Sequence, residues 1–206
     1  MSWEQFIPED IAKLYEIHDF KHAAAILSKE FPEEFKDLCN ALSKFRLETE
    51  DIIKGGGNES IIPKKFTSIL KPLGWNEKKL SAELKVYEVK GKHDKELKSS
   101  FSHGSHKVDY IKGRVAFDLE WNSKDQTFDR DLVAFRAFFD FDAISAGVLV
   151  TRSTELISVF KELGVNKKYG ASTTHLGKLI PRLEAGRNGG CPVIVFGITP
   201  RLIKDL

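Results

Sequence analysis

Residues 114–122, Arg-Val-Ala-Phe-Asp-Leu-Glu-Trp-Asn, alternate apolar side chains with small or polar ones, a period that an extended strand satisfies and a helix does not. Val115, Phe117, Leu119 and Trp121 fall on one face, and Ala116, Asp118, Glu120 and Asn122 on the other. Two carboxylates, Asp118 and Glu120, are thereby fixed on one rigid element, roughly 6–7 Å apart along the strand. A D-x-E triplet is weak by itself, because acids on the wet face of an antiparallel strand are common. The very apolar opposite face, however, fits a central strand.

A third acid joins them through a hairpin. Lys107-Val-Asp-Tyr-Ile111 reads as a strand, and Lys112-Gly113 as a two-residue loop. That register pairs Ile111 with Arg114, Tyr110 with Val115 and Asp109 with Ala116. It sets Asp109 on the face of Asp118, diagonal to it at roughly 7–8 Å. Like charges this close repel, so a cation is expected between them. Oxygen-only ligation by Asp109, Asp118 and Glu120 suits Mg²⁺, with Mn²⁺ as a substitute, and the chemistry it suggests is metal-assisted phosphoester hydrolysis.

The 206 residues fit one domain, with 41% hydrophobic content and 15 Phe to supply a core. The net charge of +2 does not announce nucleic acid, but its distribution is uneven. Residues 151–206 hold nine Lys and Arg against four Asp and Glu, while the first 150 hold 23 against 26, so the C-terminal third is the better anion-facing surface. Cys39 and Cys191 are too far apart in sequence for a C-x-x-C site and fit a reducing cytoplasm. The acidic start, Met-Ser-Trp-Glu-Gln-Phe, lacks a signal-peptide core, and no membrane span is expected.

Along the chain, residues 8–45 read as three helices, opened by Pro8-Glu-Asp, His22-Ala-Ala-Ala and Pro32-Glu-Glu. Gly55-Gly-Gly57 reads as a mobile loop, able to close over a ligand. A short helix over 63–73 and a strand over 82–90 follow. Residues 91–106 read as a polar loop with His93, His103 and His106; the H-x-x-H at 103–106 is either a metal pair or two solvated histidines. Phe128, Leu132, Phe135 and Phe139 recur at helical spacing, as core or dimer interface, with Asp129 and Asp131 in the first turn where the helix dipole favours acids. Residues 144–150 and 192–196 read as buried strands, with helices over 153–163 and 174–185 between them. The expected architecture is α/β, a mixed central sheet flanked by helices, divided into an N-terminal helical subregion (1–58) and a catalytic core (59–206) of one domain.

This order, with one acid on a hairpin strand and an acid pair on the next, resembles the PD-(D/E)XK nuclease core. More closely, the chain resembles the BglII/BstYI-type branch of type II restriction endonucleases. The resembling segments are Asp109-Tyr-Ile-Lys-Gly-Arg-Val-Ala-Phe-Asp-Leu-Glu120, continuing through Trp121-Asn-Ser-Lys124, and Ala171-Ser-Thr-Thr-His-Leu-Gly-Lys178 with Glu184 through Pro200. The resemblance implies a restriction-endonuclease-like fold and a homodimer on double-stranded DNA with a short palindromic site. A cognate DNA methyltransferase is expected genetically. It also implies that Asp109 and Asp118 bind metal. Glu120 stands where most of the superfamily carries Lys and the nearest relatives Gln; a glutamate can orient or deprotonate water or add a ligand, but cannot act as a cation. Lys124 either supplies that cation or is a solvated lysine.

By the same resemblance, Asn122 and Ser123 are candidates for base contacts in the major groove. The loop carrying Ser172 and Thr173, together with Arg187 and Asn188, is a candidate for base or backbone contact; Ser172 and Thr173 could also cap a helix. Arg130, Arg136, Lys178 and Arg182 are candidates for phosphate contact, with an ion pair as the alternative for Arg136. The Phe stripe of the 128–141 helix and the N-terminal helices are the expected dimer contact. Two other functions remain open: a nuclease of repair or phage defence without sequence preference, and a DNA-binding module that does not cleave.

Overall fold

The alternating segment forms β4 (Val115–Glu120), and it lies between two separate apolar cores. The computed structural model describes residues 2–54, 61–92 and 94–206. The Gly55–Gly57 loop and His93 lie outside the described residues, as does the side chain of His103. β4 pairs in parallel with β5 (Ala146–Arg152), and β5 in parallel with β6 (Val193–Ile198). Every residue of β5 and β6 is buried, as expected for parallel strands covered on both faces. On the other side β4 pairs antiparallel with β3 (Lys95–Lys112), and β3 with β2 (Asn76–Val89). With β1 (Tyr15–Phe20) antiparallel to β6, the six strands run in the order β1-β6-β5-β4-β3-β2.

Helices cover both faces. One core takes Val115, Phe117, Leu119 and Trp121 from β4. It packs them against α1 (Glu9–Leu14), α2 (Ala23–Glu30), α3 (Pro32–Lys44), α4 (Thr49–Ile53), α5 (Ile61–Leu70) and α7 (Leu156–Glu162). The other core lies under α6 (Thr127–Asp140) and α8 (Leu176–Glu184) and takes Ala116 from the acid-bearing face of β4. That face is therefore interior, not solvated. The Phe stripe of α6 is core: Phe128, Leu132 and Phe135 are fully buried, which removes it as a dimer contact. Gly147 on β5 lets α6 come close, since a Cβ there would lie 2.4 Å from the Phe135 ring.

Three expectations change. Residues 15–20, expected to be helical, form β1; Tyr15 and Ile17 alternate with Glu16 and His18, and pairing with β6 satisfies backbone groups that would otherwise form an open edge. Most of the expected polar loop over 91–106 belongs to β3, so β2 and β3 form a long antiparallel ribbon. Its outer part exposes Leu84, Val86, Tyr87, Val89, Leu97 and Phe101. The hairpin loop is Gly113-Arg114, with Gly113 at φ 53, and Lys112 pairs with Val115 and reaches Asp37 at 2.7 Å. The pairing is shifted by two residues from the expected register. A shift by an even number keeps every side chain on its face, so Asp109 stays with Asp118 but comes opposite it.

Candidate active site

β3 and β4 pair only over Tyr110–Lys112 and Val115–Phe117, then separate. Asp109 and Asp118 sit in the fork. Asp118 Oδ1 accepts the backbone N–H of Asp109 at 2.8 Å, and Asp109 Oδ2 accepts the N–H of Leu119 at 3.1 Å. The side chains thus stand in for the next rung of the ladder. Asp118 is 3% exposed. Glu120 follows on the same face; its backbone carbonyl accepts from Thr151 at 2.7 Å.

A β-bulge brings a fourth group. Ile111 pairs with Asn76 and Val108 with Lys78, so Asp109 and Tyr110 together oppose the single residue Glu77. The extra residue puts Val108 on the same face as Ile111, and both pack under α6. His106 follows Val108 onto that face. It is 7% exposed, and its Nε2 lies 3.9 Å from Asp118 Oδ2 and 3.6 Å from Asp131 Oδ1. Asp131, just past the first turn of α6, is 2% exposed. One ligand atom from each of His106, Asp118 and Asp131 falls within 4.8 Å of the others, close enough to hold a metal ion.

The electrostatics are those of a site short of positive charge. Burial first, then the charge of Asp118, raises the carboxyl of Asp109 above its ordinary range; burial and the charges of Asp118 and Glu120 raise that of Asp131. Glu120 is pushed up to about 7, again chiefly by burial, with a hydrogen bond from Ser123 opposing the rise. Lys107 and Arg130 act on this group through space. His106 Nε2, Asp118 Oδ2, Glu120 Oε2 and Asp131 Oδ2 are buried with no hydrogen-bond partner. Unpaired buried polar atoms each cost about 1–3 kcal/mol, so four on these neighbouring residues fit the binding of a cation.

The sequence leaves His106 open between a metal ligand and a solvated side chain, and gives Asp131 no place in the site. Strict alternation from Asp109 puts His106 on the opposite face, and only the bulge reverses it. Asp131 looked like a dipole acid in a first turn; its placement one position before the buried Leu132 was the available signal. The H-x-x-H reading as solvated side chains does not hold for His106.

The expected DNA-contact residues divide. Lys124 forms a bridge with Thr173, Asp125 N–H donates to Ser172 O at 3.0 Å, and Thr174 N–H to Ser123 O at 2.9 Å. The 122–125 and 172–174 segments, about fifty positions apart, therefore make one strip beside the end of β4. Ser123, Lys124 and Ser172 are exposed on it. Asn122 is half-buried and its amide donates to Lys168 O at 3.2 Å. Neither Ser172 nor Thr173 caps α8, whose N-cap is His175. Thr173 Oγ1 instead accepts from Arg152 Nη2 at 2.6 Å and donates to Gly170 O at 2.7 Å. Arg152 is 2% exposed, stacked against Trp121, Phe160 and Tyr169, and also donates to Thr174 O at 3.0 Å.

Asn188 is a correction: it is 1% exposed and its amide donates to Cys191 O at 2.7 Å, so it closes a loop and faces no ligand. Arg187 pairs with Asp129, as does Arg182 at 3.0 Å. Lys178 lies 4.0 Å from Asp125, and Arg136 pairs with Asp140 at 3.8 Å, the ion-pair alternative; Arg130 is exposed. Gly177, Lys178, Pro181, Arg182 and Arg187 line an open cleft of about 310 Å³ on α8. No helix among the described residues is long and apolar enough to cross a membrane.

No curated protein matches the chain. Residues 15–198 match the family model described as Restriction endonuclease BglII/BglIII.

Proposed function

The chain belongs to the restriction endonuclease BglII/BglIII family, and from that premise we propose that it is a Mg²⁺-dependent type II enzyme that hydrolyses double-stranded DNA at a short palindromic site as a homodimer. The observation that carries this reading is the fork between β3 and β4. Three carboxylates converge there, Asp118 buried and Asp109 and Glu120 half-buried, and Asp118 and Glu120 each keep an oxygen with no partner. The donor set fits a hard cation. Mg²⁺, with Mn²⁺ as a substitute, would be held by Asp109 and Asp118 with Glu120 beside them, and when bound it polarises a phosphate oxygen and acidifies water.

The protein's own groups do the rest. Glu120, raised to about 7, has the proton affinity of a general base at neutral pH, and its unpartnered Oε2 is the atom that takes the proton from the attacking water. The Ser123 hydroxyl orients that carboxylate. Burial under α6 excludes bulk water, which strengthens every charge interaction in the fork. The strip holding Asn122, Ser123, Lys124, Ser172 and Thr173 lies next to the acids and would read base edges, with Lys124 and Arg187 toward phosphates. For a second copy, the exposed apolar side chains of the β2–β3 ribbon replace the Phe stripe as the available surface.

Plasmid digestion with Mg²⁺ and with EDTA tests the reading. Discrete fragments requiring Mg²⁺ support it. A smear would point to a nuclease without sequence preference, and a gel shift without cleavage to a binding module; either outcome rejects it. Ends mapped by sequencing should be two-fold symmetric, and a methyltransferase gene beside this one should modify the same site.

A further inference from the structure

Two buried groups have no part in the cleavage reading. His106 and Asp131 come from β3 and α6, yet they meet at Asp118, on the α6 side of the fork. All three side chains are more than nine-tenths buried. His106 Nε2, Asp118 Oδ2 and Asp131 Oδ2 have no hydrogen-bond partner, Asp131 approaches His106 through Oδ1, and one ligand atom from each residue lies within 4.8 Å of the others. The other oxygen of Asp118 is already engaged with the N–H of Asp109, so Oδ2 is the one left free. The separations from His106 Nε2, 3.6 and 3.9 Å, are too long for hydrogen bonds. Around a tetrahedral Zn²⁺ neighbouring ligand atoms lie roughly 3.4 Å apart. Around an octahedral Mg²⁺ the spacing is about 3.0 Å.

We propose that His106, Asp118 and Asp131 form a second cation site, selective for a borderline transition ion such as Zn²⁺ over Mg²⁺, with Asp118 shared between it and the Asp109–Asp118–Glu120 centre. Imidazole suits Zn²⁺ and its neighbours, whereas Mg²⁺ prefers oxygen throughout. Three protein ligands leave a fourth position for water. An ion there would join α6 to the β3–β4 fork and neutralise the two carboxylates it touches. The sharing of Asp118 rests on the cleavage reading; the His106–Asp131 contact does not.

The test uses tag-free, metal-stripped protein without DNA. Co²⁺ is titrated in as a coloured substitute for Zn²⁺, with its visible absorption as the readout. One equivalent should bind with the intense spectrum of a tetrahedral site, be displaced by Zn²⁺, and survive a large excess of Mg²⁺. Asp131→Asn and His106→Gln should each weaken binding by at least about tenfold, the lower end of what even outer-shell partners cost. Glu120→Gln should bind Co²⁺ as the wild type does. A second readout needs no variant: proton NMR of the wild type should show Zn²⁺ perturbing a buried histidine ring. Absence of Co²⁺ and Zn²⁺ binding by the wild type, or binding unchanged in both ligand variants, would overturn the proposal. Mg²⁺-dependent cleavage without a Co²⁺ site rejects this inference alone, and a Co²⁺ site without cleavage rejects the nuclease reading alone.

Discussion

Asp109 and Asp118 face each other across the β3–β4 fork, and the Asp118 carboxylate accepts the backbone N–H of Asp109 at 2.8 Å. Each acid also takes part in holding the opposite strand, because Asp109 accepts from Leu119. The pair is therefore structural, and at Asp109 the hydrogen bond from Leu119 favours the ionised carboxyl while burial and the charge of Asp118 oppose it. A bound cation would resolve that conflict. In its absence, removing a charge should relieve it.

Asp118→Asn keeps an oxygen for the Asp109 N–H and deletes one negative charge. Cleavage in Mg²⁺ should fall at least roughly 100-fold, since even groups behind a metal ligand cost 10–100-fold. The melting temperature in EDTA should hold or rise, because Asp118 raises both Asp109 and Asp131. A plasmid assay and a thermal melt on the same preparation check both halves. A large fall in melting temperature would contradict the repulsion.

Glu120 gives a pH dependence of stability. Its carboxyl rises from 4.5 to about 7 on folding, so the folded state binds its proton more tightly. Its contribution is present in full below about pH 4.5 and is lost as pH climbs through about 7. Metal-free protein should therefore lose stability between those values, by at most roughly 3 kcal/mol for this group. Glu120→Gln should flatten that part of the curve. Urea midpoints in EDTA at stepped pH make the comparison.

Gly147 controls the distance between α6 and the sheet. A Cβ at this position meets Phe135 at 2.4 Å, so Gly147→Ala must push α6 outward. The expected cost is about 1–3 kcal/mol. Because Asp131 rides on α6, Co²⁺ affinity at the His106–Asp118–Asp131 site should fall more than a denaturation midpoint alone would explain. Co²⁺ titration under conditions where the variant is fully folded separates the two effects.

Arg152 anchors the 172–174 segment through Thr173 and Thr174 from inside an aromatic cage. Arg152→Gln should cost roughly 3 kcal/mol through lost charged hydrogen bonds and cation–π contact. It should also loosen the strip that includes Ser123 and Lys124. Cleavage at sites differing by one base pair should rise relative to the preferred site. Unchanged preference would remove the strip from recognition.

Much of this was legible locally. The 115–122 alternation named both the strand and the face of Asp118 and Glu120. The Phe spacing of α6 and the Pro32 start of α3 set those helices. The hairpin register was wrong by two residues, and the facing of Asp109 survived only because the error was even. β1 was overlooked although Tyr15 and Ile17 alternate, because helical signals on both sides of it are stronger.

What the sequence alone determined is period and residue type: which strand carries the acids, and that the fold is a helix-flanked mixed sheet. Those are nearest-neighbour properties, written every two or 3.6 residues. The tertiary structure decided the rest. Whether the acid face meets water or α6, whether a bulge at Asp109–Tyr110 turns His106 inward, and whether Asp131 joins Asp118 depend on contacts between distant segments. No local period encodes them, and it is these contacts that change an acidic strand into a buried site able to hold a cation.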